Sequence, residues 1–260
     1  GLNALFGLEY KRYENQHAEI YVTESSDRAF EEEVMLSGFA NAQVKAEGSG
    51  VSFDTAQETY SARYTHDTVA LAFAITEEAI EDNLYDRLAS RYTKALARSM
   101  SNAKQVKAAK PLNDGLPSVD NFDSGDGVSL FNTAHTTVSG TNVKNTLTTQ
   151  ADLNETSLEQ ALIDIAAMTD ERGLRVAARA MKMIIPSANQ FTAERLMKSQ
   201  GRTGTADNDI NAVVSMGMVP QGYRVNNFLT DTDSWYLITD VPNGMKMFQR
   251  AALKTAMEGD

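Results

Sequence analysis

A chain of 260 residues with 42% hydrophobic and 23% charged side chains is long enough to bury one large core or two smaller ones. A formal net charge of −11 and an isoelectric point near 4.8 argue against a general nucleic-acid binder and suit a protein that stays soluble when concentrated. The absence of cysteine excludes disulfides, thiolate zinc sites, iron–sulfur clusters and cysteine nucleophiles.

Residues 1–28 scatter Phe6, Tyr10, Tyr13 and Tyr21 among polar residues without a sustained period. This predicts an extended arm or a loose terminus. The opening "GLNALFGLEY" has neither the basic start nor the apolar stretch of a signal peptide. There is no initiator Met, which fits either a processed chain or numbering that begins inside a longer product, and the closing "AMEGD" follows a strand-like run directly. Residues 29–75 read as strand. "VMLSGFANAQVKA" and "VSFDTAQETYSARYTHDTVALAFAI" flank "EGSG", whose Gly48 and Gly50 suit a tight turn. Ala, Gln, Ser, Thr and Glu dominate the outer part of this hairpin, and a two-stranded ribbon of that composition buries too little to stand alone. It is expected to be loose or to lie on another subunit. "VALAFAI" at 69–75, the longest plain apolar run, is far too short to cross a bilayer, and no membrane partner is expected.

Thr76 with Glu77 and Glu78 reads as a helix start, and neither Gly nor Pro interrupts residues 77–110. Ile80, Leu84, Leu88, Ala95, Leu96 and Met100 supply the expected apolar stripe. A helix of this length spans about 50 Å, far beyond the usual 11–12 residues. Its charge is ordered. "EEAIEDNLYD" carries five acids and no base, whereas residues 87–110 carry seven bases and no acid. Arg87, Arg91, Lys94 and Arg98 step by four, three and four and so share one face. Acids first and bases later complement the helix dipole, which is a sufficient bland reason for the order. Local pairing nonetheless does not consume these bases, so they remain for a neighbour's acids or for phosphate.

The Pro-, Gly- and Asp-rich stretch 110–127 marks the best domain boundary. Beyond it, Thr156 and Glu159 read as a capping box, Leu158, Leu162 and Ile165 as the apolar face of a helix, and Gly173 as its end. "MKMII" at 181–185 reads as a strand stopped by Pro186, and Ser187 with Gln190 as a second capping box. "YRVNNFL", "WYLITD" and "MKMFQRAALKTA" read as three strands joined as an antiparallel meander.

Chemistry-bearing patterns are weak. None of His17, His66 and His135 stands beside a G-x-S-x-G elbow, so no serine triad is expected. "DTD" at 231–233 fits a turn better than a cation site, and "NFDSGDG" at 121–127 misses the calcium-loop spacing. "GRTGTADND" at 201–209, with Arg202, Gly204, Asp207 and Asp209, has the composition of a phosphate cradle. It lacks the G-K-[ST] ending and is expected to be a loop. No catalytic residue, cofactor or metal is expected.

"YTHDTVALAFAITEEAIEDNLYDRLASRYTKALARSM", "LFNTAH", "DERGLRVAARAMKMIIPSANQFTAERLMKS", "GTADNDINAV", "GYRVNNFLTDTDSWYLITDVPNGMK" and "ALKTAMEGD" together resemble the major capsid proteins of tailed phages, in the same order from about residue 30 to the end. The resemblance implies the α+β Hong Kong 97-type capsid fold. It would make 1–28 an N-terminal arm, 29–68 an E-loop hairpin, and 69–118 a P-domain with its spine helix at about 77–108. Residues 119–240 would be an A-domain and 241–260 a strand returning to the P-domain, whose sheet members of the family usually complete with a further strand. The implied function is a virion shell of hexamers and pentamers around double-stranded DNA, assembled in the bacterial cytoplasm. Portal, scaffold or decoration proteins would be its partners. On that reading Arg87, Arg91, Lys94 and Arg98 meet acids of adjacent subunits or of the E-loop, with Glu31, Glu32 and Glu33 as candidates, and non-specific contact with packaged DNA comes second. An encapsulin-like compartment shares the implied fold, and a soluble enzyme with an anion site at 201–209 is the remaining alternative.

Overall fold

The computed structural model describes residues 2–78, 85–117, 125–202 and 209–256. Helix and sheet are mixed, as expected. The long helix α2 (Tyr85–Asn113) is its spine. At 29 residues it extends about 43 Å. It takes Pro111 into its last turn and runs three residues past Lys110, where the break was expected. The chain leaves it through Gly115, where a Cβ would stand 2.4 Å from the Pro111 carbonyl oxygen and 2.9 Å from the Phe131 ring. Only glycine passes there without displacing backbone.

The buried face of α2 is Ala89, Thr93, Ala97, Ser101, Gln105, Ala108 and Leu112, which corrects the expected stripe. Ala95 is exposed, Leu88, Leu96 and Met100 are half-buried, and Ile80 and Leu84 lie outside the described residues. Small side chains win because another helix crosses closely. That helix is α1 (Leu2–Arg12), which packs along α2 and buries Phe6 and Glu9. The expected extended arm is therefore helical at its start. Its weak periodicity hid it, since packing rather than intrinsic preference stabilises short helices. A 3-10 turn follows (Gln16–Glu19), and there the buried His17 and Gln105 are reciprocal partners. The His17 N–H donates to Gln105 Oε1 at 3.0 Å, and Gln105 Nε2 lies 3.0 Å from His17 Nδ1.

Burial, and then the nearby Lys104 charge, lower the pKa of His17. The unfolded chain binds this proton near pH 6.5, whereas the folded chain resists it. Stability from this residue is thus complete above about pH 6.5 and falls as the pH drops toward the lower folded value. The melting temperature of His17→Gln, followed from pH 7.5 to 5, is expected to decline less than that of the parent chain. An equal decline contradicts this reading.

Strand β1 (Val22–Ser25) pairs in parallel with the distant β9 (Lys246–Gln249), from Val22↔Lys246 to Ser25↔Gln249. Strands β2 (Phe30–Leu36) and β3 (Glu58–Thr65) form the expected antiparallel hairpin, Phe30↔Thr65 to Leu36↔Glu58. The ladder is shorter than the sequence suggested: residues 37–57 and 66–76 are not strand. Gly48, at φ +76°, makes the turn at the tip, where the Ser49 N–H donates to the Ala46 carbonyl. Gly50 has no left-handed φ. A two-residue ribbon, β4 (His135–Thr136) with β5 (Asn142–Val143), follows.

Helix α3 (Glu155–Ala166) buries Leu158, Leu162 and Ile165 as expected. Its cap lies two residues earlier than Thr156. The Asn154 side chain accepts the Ser157 N–H, and the Ser157 hydroxyl accepts the Asn154 N–H, both at 3.0 Å. Loss of such a cap costs about 1 kcal/mol. Asn154→Ala is therefore expected to lower the denaturation free energy by about that amount, while Thr156→Ala leaves it nearly unchanged; the reverse order rules out this cap. The helix ends at Ala166, and Gly173, at φ +82°, belongs to a later turn.

Strand β6 (Ala180–Ile185) is the centre of the body. It pairs in parallel with β7 (Tyr223–Val225) and antiparallel with β8 (Tyr236–Thr239), giving the order β7-β6-β8. The expected meander does not form: β7 and β8 flank β6, and β9 leaves to join β1. The two faces of β6 serve different cores. Met183 and Ile185 pack with α3 residues and with helix α4 (Gln190–Lys198), through Ala193 and Leu196. Ile184 packs on the other side with Ile20, Tyr21, Ala108 and Leu112. Pro186 ends β6, and a 3-10 turn (Ser187–Asn189) leads into α4 without a side-chain cap, so the second capping box is not made. A last short helix, α5 (Ala212–Ser215), is capped by Asn211. Two tyrosines tie the end of α2 to this body: Tyr21 donates to the Ala108 carbonyl at 2.7 Å, and Tyr236 to that of Leu112 at 2.8 Å.

Candidate functional site

The outer face of α2 presents Arg87, Arg91, Lys94 and Arg98, all exposed, over about 16 Å of helix axis. None of the four forms an ion pair among the described residues. Because α1 packs on the adjoining small-residue face, the row borders a shallow hollow. Tyr13 walls it on one side, and Lys94, Arg98, Ser99 and Asn102 supply its polar lining. The hollow can take an anionic group, with two cations and three neutral donors at its edge.

The glutamates expected to answer this row are already engaged within the chain. Glu31 accepts the Ser26 hydroxyl at 2.6 Å and faces Arg28 at 3.9 Å. Glu32 pairs with Arg63 at 3.3 Å, and Glu33 with Lys246 at 2.5 Å. They lie on the strand β2 opposite β3, which supplies Arg63; Lys246 comes from β9, and Arg28 stands in the bend just before β2. The Lys246 ammonium, held by Glu33 first, has its pKa raised. The positive row and the negative row do not meet in one chain, and each Glu would have to give up a partner to meet the row of another.

The loop at 201–209 does not offer a free cation. Arg202 Nε donates to Glu155 Oε2 at 2.9 Å, and that carboxylate raises its pKa. The Arg202 N–H donates to the Asp209 carbonyl at 2.8 Å, closing the loop base. Gly204 and Asp207 lie outside the described residues, as does most of the 121–127 segment. At 231–233 the expected turn is present: Asp231 Oδ1 faces the Asp233 N–H at 3.4 Å, and the Ser234 hydroxyl donates to the Asp231 carbonyl. His66 and His135 are held by polar partners within the chain. His66 Nε2 lies 2.9 Å from the Ser26 hydroxyl, and His135 Nδ1 lies 2.6 Å from Asp126 Oδ2. No cluster of three or more potential metal-ligating side chains occurs among the described residues.

No local pattern signals the contacts that seat the hairpin on the body. Tyr60 lies on Gly125, where a Cβ would come within 2.7 Å of the ring. Arg172 reaches Asp54 across 118 residues of sequence. Lys107 pairs with Asp67 at the hairpin's base. Around the tip, Phe39, Val44, Val51 and Phe53 are exposed, Val44 and Phe53 almost wholly so, at 99% and 96%. A folded monomer gains nothing from presenting such side chains to water, and a large exposed apolar patch is characteristic of a surface that meets another molecule.

A family model described as phage capsid protein matches residues 59–258. This chain belongs to the phage capsid protein family. The capsid protein has a structural role, as part of a phage shell. Two solved structures share its fold. One is the capsid of bacteriophage JBD30 decorated with minor capsid protein trimers, at 12% identity and a TM-score of 0.60, covering 84% of this chain and 92% of that one. The other is the procapsid of bacteriophage JBD30, at 14% identity and a TM-score of 0.55, covering 88% and 97%. No curated protein matches the capsid protein. Both similarities cover most of this chain and most of the other one. No helix among the described residues is long and apolar enough to cross a membrane.

Proposed function

We propose that this capsid protein is the major shell subunit of a tailed double-stranded DNA phage, built on the Hong Kong 97-type plan and assembling into hexamers and pentamers. The observation that carries the reading is the hairpin. Although Arg172 and Gly125 seat it on the body, its tip exposes Phe39, Val44, Val51 and Phe53, which a copy of the chain in a shell would cover. The 29-residue helix supports the same plan, since a shell wall needs a rigid element longer than a compact core does. In the terms of that plan, 1–28 is the N-terminal arm, 29–68 the E-loop, 69–118 the P-domain with α2 as its spine helix, 119–240 the A-domain and 241–260 the return to the P-domain. The pairing of β9 with β1 ties the first and last of these together.

Its work is assembly without turnover, in the bacterial cytoplasm and then in the virion. Arg87, Arg91, Lys94 and Arg98 serve subunit contacts first. The carboxylates they meet come from a neighbour, and Glu31, Glu32 and Glu33 can serve only by exchanging the cations that now hold them. Packaged DNA is a second, non-specific and salt-sensitive partner of the same row. Portal, scaffold and decoration proteins complete the particle; one similar structure is itself decorated with minor capsid protein trimers. Electron microscopy of the purified chain, across salt and crowding conditions, is expected to show capsomers or closed shells. A chain that stays monomeric under every condition argues against the reading.

A further inference from the structure

The hairpin is fastened to its own body near the tip by a contact built on both sides. On the body, Arg172 stands in a tight turn. Asp170 Oδ1 accepts the N–H groups of Arg172 and Leu174 at 2.9 and 2.8 Å, and the Gly173 N–H donates to the Asp170 carbonyl at 3.0 Å. Glu171 joins this turn to the β4–β5 ribbon by accepting the Val138 N–H at 3.0 Å. The Arg172 side chain is only 20% exposed and so is held in one direction. On the hairpin, Asp54 closes the tip by accepting the Ala40 N–H at 2.7 Å, from the opposite arm. Arg172 Nη2 then reaches both Asp54 oxygens, at 2.9 and 3.0 Å. The Ala40 amide, with Arg172 next, holds this carboxyl below its usual pKa.

The sequence flanking Asp54 on both arms is apolar and exposed: Phe39 stands next to Ala40, and Phe53 next to Asp54. The ion pair nearest the tip therefore helps to hold the segment that carries these two aromatic side chains. A contact this close to solvent is weakened by salt and opens readily, unlike an apolar seat. We propose that Asp54–Arg172 is an intrachain latch. It keeps the hairpin on its own subunit before assembly and must open for Phe39 and Phe53 to seat on a second copy of this chain. The proposal rests on the shell-forming reading above.

The absence of cysteine makes the test clean. Asp54→Cys and Arg172→Cys are introduced together and joined by a short, cleavable bismaleimide. Cross-linked subunit of monomer mobility on a denaturing gel is expected to form at least tenfold fewer shells by electron microscopy, and to recover after cleavage. Equal assembly before and after cleavage overturns the latch, as does cross-linking that yields only dimers. Should the double variant fail to fold, Asp54→Asn in the parent chain is expected to shorten the assembly lag several-fold, and an unchanged or longer lag overturns the latch. If the parent chain itself never assembles, the shell reading fails instead.

Discussion

Arg91→Glu with Lys94→Glu is expected to abolish shell formation while the subunit stays folded. Both side chains are exposed on α2 and make no ion pair among the described residues, so the folded monomer loses no contact that it now has. Substitutions at such positions usually change stability by about 0.5 kcal/mol or less. The new glutamates also lie four residues from Arg87 and Arg98, an arrangement that mildly supports a helix. Any large effect must therefore come from outside the chain. A neighbour's carboxylates that met two cations would now meet two anions, and like charges brought together at an interface cost several kcal/mol. Circular dichroism and thermal melting establish that the monomer is intact, and electron microscopy counts shells. If empty shells form at the parent level and only DNA packaging fails, the row faces the genome rather than a neighbour.

Ile184→Ala is expected to cost about 2–5 kcal/mol, by the usual range for a large aliphatic truncated in a core. Ile184 is fully buried at the centre of β6, with β7 and β8 on either side, and packs where the end of α2 meets the body. The strand cannot shift to fill the void, because Met183 and Ile185 are fully buried in the other core. The cost thus belongs to the high end of the range. Ile163→Ala, on the exposed side of α3, serves as a comparison and is expected to change stability little. Denaturant titration separates the two. Comparable losses from both substitutions contradict the two-sided role of β6.

What could be seen in advance follows the range of the interactions. The α3 face of Leu158, Leu162 and Ile165 follows from helical spacing alone, and the Gly48 turn and the Pro186 stop are single-residue effects. The pattern puts the cap of α3 two residues late, because Thr156–Glu159 has the sequence of a box, while Asn154–Ser157 has the geometry. The buried face of α2 could not be read, since Ala89, Thr93, Ala97 and Ser101 are apolar enough only when α1 lies against them. The sheet order failed for a different reason. Tyr223–Val225 and Tyr236–Thr239 are close in sequence, yet each prefers an edge of the central, largely buried β6. The basic row was legible as a row, from spacing. That Glu32 and Glu33 had nearer partners was not, because Arg63 lies 31 residues from Glu32 and Lys246 lies 213 residues from Glu33 in the chain. Asp54 and Arg172 carry no pattern at all, and only folding brings them together.

Cryo-electron microscopy of the purified chain under assembly conditions tests the central claim most directly. Closed icosahedral shells are expected, with α2 running along the wall and the tip residues Phe39 and Phe53 covered by an adjacent copy. Particles in which those side chains remain open to solvent, or a chain that never forms capsomers, would contradict it.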